Sequence, residues 1–304
     1  MEATAGPVPT LAHRLQHAGL RLLEESVSRL RWEQRLRVGR LLGGIWHAVD
    51  APHRKVAREN AGRAFPDWGA SDVSALVRRN FAHLGETAAE SVGLARTDRE
   101  ELLARCRFEG LEHLEAALGQ GRGALVLTAH LGNWELAGLA MSARGYPFFA
   151  VGRRQANPLI DRRVTRLRES FGGRLIHHRE AVRPVLRALR VGGVVAFLMD
   201  QRASSREGVR SRFFGRPVAT NQGLALLALK TGAPVVPGFG ERVGARHVIR
   251  VGTPVPPPTG GSREEQVRRY TEAFDAAIEA AVRRRPEQWF WVHRRWRLPR
   301  NWEP

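Results

Sequence analysis

His130 and Glu135 stand five residues apart in ALVLTAHLGNWELAGLAMSA, residues 124–143. An imidazole and a carboxylate can make a base with a group to orient it, provided they face each other. On one continuous helix five residues rotate the side chain by about 500°, which leaves the pair roughly 140° apart. They meet only if His130 lies in a turn and Glu135 in the first turn of the helix that follows. Glu135 would then set the ring tautomer and leave the other nitrogen free to take a proton. No Ser or Cys adjoins His130, and Thr128 is an even strand step away. The pattern therefore suits a base acting on an incoming hydroxyl rather than a covalent relay. A buried histidine beside a glutamate at a helix's positive end fits the same spacing.

The flanking text supplies the required geometry. Ala124 to Ala129 is an apolar run of strand length, His130-Leu131-Gly132 breaks it, and Asn133 opens a helical pattern. In such a βα unit the carboxyl end of the strand faces the crevice where open α/β sheets hold ligands. Further strands are expected at Pro147–Val151, Val194–Met199, Ala233–Phe239 and His247–Val251. The first of these strands runs into Gly152-Arg153-Arg154, and two arginines at a strand exit suit a phosphate-bearing ligand or a solvated loop. Val194–Met199 ends at Asp200-Gln201, where Asp200 can pair with an arginine, assist His130 or cap a loop. A helix from Asn157 to Ser170 carries Arg162, Arg163, Arg166 and Arg168.

Helices are expected around this sheet at 53–64, 71–92, 98–105, 111–118, 181–190, 222–230 and 262–285. The fold class is thus α/β, with a mixed central sheet flanked by helices on both faces and a helical N-terminal elaboration. Residues 1–51 read as an amphipathic, membrane-associating segment. Leu36, Val38, Leu41, Leu42, Ile45, Trp46 and Val49 form its apolar side, with Arg31, Arg35, Arg37 and Arg40 toward lipid headgroups. An ordinary surface helix fits the same pattern. Residues 52–304 form the main domain. Within it, 202–217 holds Arg202, Arg206, Arg210, Arg212 and Arg216 against Glu207, and reads as a mobile loop able to close over an anionic substrate. The tail interleaves Trp289, Trp291, Trp296 and Trp302 with arginines.

Composition narrows the partners. The 304 residues carry a net charge of +19, and among 49 basic residues only Lys55 and Lys230 are lysine. Such an excess favours anionic partners: nucleic acid, phosphorylated lipid or an anionic bilayer. No helix-turn-helix, zinc-finger or RNP text supports nucleic acid. The single cysteine, Cys106, excludes an internal disulfide and a cysteine-based zinc site. No apolar run reaches eighteen residues, and the first fifteen residues lack the pattern of a signal peptide.

His130-Leu131-Gly132-Asn133-Trp134-Glu135 resembles the H-x4-D/E motif of glycerolipid-type acyltransferases. Within that superfamily the chain is most similar to the bacterial lipid A biosynthesis (late) acyltransferases of lauroyl/myristoyl type. The matching pieces follow in order: Asn157-Pro158 with Asp161, Arg166-Leu167-Arg168, Met199-Asp200-Gln201, Phe213-Phe214-Gly215, TGAPVVP at 231–237, and the tail from Pro286 to Trp296. The resemblance implies a glycerolipid acyltransferase-like fold with His130 and Glu135 as the catalytic pair. It implies that Asn133, Arg166 or Arg168, Asp200 and Gln201 join Arg153 and Arg154 at the substrate. It further implies an acyl carrier protein thioester as donor, an anionic lipid A precursor as acceptor, and no metal or organic cofactor. The place of action would be the cytoplasmic face of the inner membrane. A lysophospholipid, a glycosylated phosphoinositide or an aminolipid are alternative acceptors, and a non-enzymatic basic protein that binds membrane or nucleic acid is the alternative class.

Overall fold

The computed structural model describes residues 9–302. Residues 1–8 of the expected N-terminal segment therefore lie outside the described residues. That segment forms two helices rather than one, α1 (Leu11–Ser28) and α2 (Trp32–Val49), and α3 (Ala51–Ala64) and α4 (Ala70–Gly93) follow. The break at 29–31 is held by Arg35, which is buried and donates to the carbonyls of Ser28 and Leu30 at 2.9 and 3.0 Å. Arg35 was expected at lipid headgroups. Its five donors serve instead to satisfy carbonyls freed where one helix ends and the next begins. Packing of α2 on α4 depends on bare backbone: a Cβ on Gly39 would lie 2.5 Å from the Gly85 carbonyl, and one on Gly43 2.2 Å from that of Phe81.

The remaining chain alternates strands and helices. After α5 (Arg99–Ala104) come β1 (Cys106–Glu109), α6 (Leu111–Leu118), β2 (Ala124–Thr128), α7 (Trp134–Ala143) and β3 (Phe148–Gly152). Next are α8 (Pro158–Glu169), β4 (Arg174–His177), α9 (Val182–Arg190), β5 (Val194–Leu198), β6 (Gly208–Phe213) and β7 (Arg216–Asn221). The chain ends with α10 (Gly223–Thr231), β8 (Val235–Val243), β9 (Arg246–Val251), α11 (Arg263–Arg284) and a tail of two short 3₁₀ turns. Seven strands form one mixed sheet in the order β1-β9-β8-β2-β5-β3-β4. The β8–β9 pair is antiparallel and every other neighbouring pair is parallel.

Near-continuous apolar text in β2 and β5 follows from burial on both faces. Leu125, Leu127, Val195 and Phe197 pack with α9, α10, α11 and the tail tryptophans. Val126, Val194 and Ala196 pack with Leu114 of α6 and with α7. The expected α/β layering with a helical N-terminal region is what the chain adopts.

The segment 202–217 differs from its expected state as a mobile loop. Most of it is the antiparallel hairpin β6–β7, with Ser211, Phe213, Val218 and Thr220 buried while Arg210, Arg212 and Arg216 point outward. The alternation of a half-buried strand is present in β6, but arginine at its exposed positions, 210 and 212, makes the text read as a charge run. Phe214 and Gly215, with φ of 51° and 71°, close it as a two-residue turn of the primed kind that matches strand twist.

Candidate active site

Parallel pairing builds the site. β2 and β5 lie side by side with Thr128 opposite Leu198, so the residues two steps beyond each strand, His130 and Asp200, emerge together at the sheet's carboxyl edge. The His130 ring reaches Asp200 with Nδ1 2.8 Å from Oδ1, and the His130 amide donates to Oδ2 at 3.0 Å. The indole N–H of Trp289 donates to the same Oδ2 at 2.8 Å. Burial alone would push the Asp200 carboxyl up. The His130 ring, that indole and the amide outweigh it and hold the group below the ordinary carboxylate value. An ionised carboxylate can only accept, so Nδ1 carries the proton and Nε2 is the open nitrogen. Gln201 Nε2 lies 3.4 Å from that Nε2, and the rings of Trp134 and Phe290 flank the imidazole at 4.9 and 5.9 Å between centroids.

Glu135 does not orient His130. It sits in the first turn of α7, as expected, but both its oxygens pair with Arg168, at 2.9 Å to Nε and 2.5 Å to Nη2. The fork of a guanidinium matches a carboxylate edge better than one imidazole N–H can. The partner of His130 is the strand-end aspartate seventy positions away. Between the two arginines left open by sequence, Arg168 lines the cavity beside His130, and Arg166 is exposed and does not.

Asn133 also differs from its expected role at substrate. It is fully buried at the N-cap of α7, its Oδ1 accepting from the Leu136 amide at 3.0 Å and its Nδ2 donating to Glu90 Oε2 at 2.9 Å. With both ends of the amide engaged and no surface exposed, it shapes the turn. Glu90 itself is buried against Trp32 and His247, each at 3.0 Å, and Arg242. Glycine is required beside Asn133: Gly132 has φ +60°, and a Cβ there would lie 1.9 Å from the Gly240 carbonyl. Gly132→Ala is therefore expected to cost on the order of 3 kcal/mol and to displace His130, visible as a lower melting temperature together with lost activity.

A cavity of about 1090 Å³ opens beside His130. Around His130 its mouth carries Glu135, Arg153, Arg168, Gln201, Arg202 and Arg206, Arg174 and Lys230 line it toward the amino ends of the strands, and Arg154 lies outside it, exposed on the loop after β3. Below, between the sheet and α7, the walls are Leu114, Val126, Leu139, Met141, Ala196 and Val251. Anion-binding side chains over an apolar shaft fit an amphiphile with a charged head and a hydrocarbon tail. Sequence reasoning did not single out Trp289, Phe290 or Glu90. The tail motif was the available signal for the first two, and Glu90 left none in an ordinary helical text. Cys106 is no nucleophile here: burial, then the nearby Glu90 charge, push its thiol up to about 12. Among the described residues no group of three His, Cys, Asp or Glu could hold a metal ion.

Residues 29–298 match the family described as bacterial lipid A biosynthesis acyltransferase. A lipid A biosynthesis acyltransferase of Haemophilus influenzae is 26% identical over 253 residues, covering 82% of this chain and 77% of its own. The lipid A biosynthesis myristoyltransferase of Escherichia coli is 26% identical over 256 residues, covering 84% and 77%. A phosphatidylinositol mannoside acyltransferase of Mycolicibacterium smegmatis is 30% identical over 197 residues, covering 61% and 65%. With His130, the charged mouth and the apolar shaft all inside the matched region, the chain belongs to the bacterial lipid A biosynthesis acyltransferase family and is an acyltransferase.

Proposed function

We propose that the protein moves a fatty acyl chain from an acyl carrier protein thioester to a hydroxyl of an anionic lipid A precursor, at the cytoplasmic face of the inner membrane. The observation that carries this reading is the open Nε2 of His130, backed by Asp200 and facing a cavity with a cationic mouth and an apolar shaft. His130 takes the proton of the acceptor hydroxyl, and the resulting imidazolium is stabilised by Asp200. The alkoxide adds to the thioester carbonyl. Collapse of the tetrahedral intermediate breaks the C–S bond, and the imidazolium returns its proton to the leaving thiolate. Negative charge on the carbonyl oxygen falls near the start of α7, where the amides of Trp134 and Glu135 have no partner within the helix.

Glu135 supports the reaction through Arg168, which it holds over the mouth for a phosphate. Arg153 and Gln201 line the same mouth, and their proposed role is to bind substrate. Neither a metal nor an organic cofactor enters the scheme. The apolar shaft takes the acyl chain. Ala196→Leu narrows it and is expected to lower kcat/KM for the longest accepted chain by about ten- to a hundredfold while sparing shorter ones, read from competing donors of graded length.

No helix among the described residues is long and apolar enough to cross a membrane. Attachment is instead assigned to α1 and α2, which expose Leu11, Leu15, Leu22, Leu41, Ile45 and Val49, with Arg37 exposed beside them. The 30% identity to a phosphatidylinositol mannoside acyltransferase favours one second reading, in which the acceptor is a glycosylated phosphoinositide. Purified protein given acyl-carrier or acyl-coenzyme A donors and a panel of lipid acceptors, with products weighed by mass spectrometry, tests both. Acylation of the lipid A precursor is the expected result. Acylation of the phosphoinositide glycoside alone selects the second reading, and no transfer to any glycolipid ends both.

A further inference from the structure

The tail after α11 is bonded directly to the catalytic turn. Leu131 pairs with Trp289 in an antiparallel bridge, the Gly132 amide donates to the Gln288 carbonyl at 3.0 Å, and the Phe290 amide donates to the His130 carbonyl at 3.1 Å. The strip is itself pinned, because Asn80 Nδ2 donates to the carbonyls of Glu287 and Trp289 at 2.9 and 2.6 Å. Trp289 is buried among Phe213, Trp291 and Trp296, which leaves its indole one orientation. In that orientation the N–H meets Asp200 Oδ2 at 2.8 Å. On the far side of Asp200, Arg295 donates to the Gln201 carbonyl at 3.0 Å and is itself held by Asp275 at 2.7 Å.

We propose that Trp289 is a positioning residue of the acyl-transfer site, its indole N–H holding the buried Asp200 carboxylate in the rotamer that presents Oδ1 to His130. Packing alone would make Trp289 a core residue like its neighbours. What separates it from Trp291, whose N–H goes to the Pro286 carbonyl, is the target of its one polar atom. A buried carboxylate that loses one of three donors becomes a stronger base and a less well oriented partner. Both consequences act on His130, so the tail governs the chemistry without reaching substrate. This inference rests on the reading of His130 as the base.

The test compares Trp289→Phe, Trp289 replaced by 3-benzothienylalanine, and Trp291→Phe as the packing control. The benzothienyl ring keeps the fused bicycle and lacks the N–H, so it separates the hydrogen bond from the volume. Expected for both changes at 289 is a fall in kcat of about ten- to a hundredfold with little change in KM. The acid limb of the rate profile should also move to higher pH, and neither change is expected for Trp291→Phe. The titration of the His130 ring, followed by NMR without substrate, should move upward in the same two variants. That measurement stands even if no acyl transfer is found, which keeps failure of this proposal distinct from failure of the enzyme assignment. A benzothienyl variant with the unsubstituted titration midpoint, or one matching Trp291→Phe in both readouts, overturns it.

Discussion

His130→Gln is expected to lower kcat for acyl transfer by about 10³- to 10⁴-fold, with the KM of the thioester donor little changed. Glutamine keeps approximate size and polarity but cannot accept and release a proton near neutrality. Its loss therefore falls on the chemical step rather than on binding. Asp200→Asn should follow at about 10²-fold or more, because an amide can present its NH₂ to Nδ1 and reverse the tautomer that leaves Nε2 open. Glu135→Gln is the informative third member. Its carboxylate is spent on Arg168, so the variant should raise the KM of the anionic substrate more than it lowers kcat. Steady-state kinetics on the three variants, with melting temperatures to confirm folding, check the order. A kcat loss at Glu135 larger than that at Asp200 would return Glu135 to the role of orienting the ring.

That reversal of partners marks where the sequence stops being legible. The strand–turn–helix around His130 can be read because an apolar run, a glycine and an asparagine cap each act locally. Residues 130 and 200 meet only because β2 and β5 are neighbours in register, and strand order is a non-local property of the whole sheet. The text nevertheless narrows the choice, since Val194–Leu198 is a buried strand and Asp200 stands just past its carboxyl end. Two elements are obscured by arginine. β4, of sequence RLIH, is too short and too basic to stand out, and the β6–β7 hairpin reads as a charged loop. In the tail, Trp289, Trp291 and Trp296 are core, and only Arg295 among the interleaved arginines is wholly enclosed. What burial does to an arginine depends on a partner, here Asp275, and no local pattern announces one.

Glu90→Ala should be among the most destabilising single changes in the chain, because it removes the anion at the centre of a buried cluster. Its Oε1 accepts from Trp32 and His247 and pairs with Arg242, while its Oε2 accepts from Asn133. Deleting one member of such a set leaves the others charged or unpaired in a dry interior, which costs about 3–5 kcal/mol. The melting temperature should fall by roughly ten degrees. Since Asn133 loses its anchor, the start of α7 should loosen and activity should drop even below that melting point.

The pH dependence gives the prediction its sign. Burial pushes Glu90 up, but His247 and Arg242 overcome it and lower the carboxyl to about 2. A depressed carboxyl contributes stability above its unfolded value near 4.5 and loses it as pH falls toward 2. The gap between unsubstituted protein and Glu90→Ala should thus stay level from neutrality to about pH 4.5 and close below it. His83 and His293 act in a different window. Burial foremost lowers them to about 3 and about 4, so the folded state holds both neutral where the unfolded chain would protonate them. Their contribution is lost as pH drops from about 6.5, so both proteins should weaken together from pH 6.5 downward before the gap begins to close. Calorimetric melting at steps between pH 7 and pH 3 separates the two windows. A gap that widens between pH 6.5 and 5 would mean that Glu90 is not ionised in the folded protein and that Arg242 finds its counter-charge elsewhere.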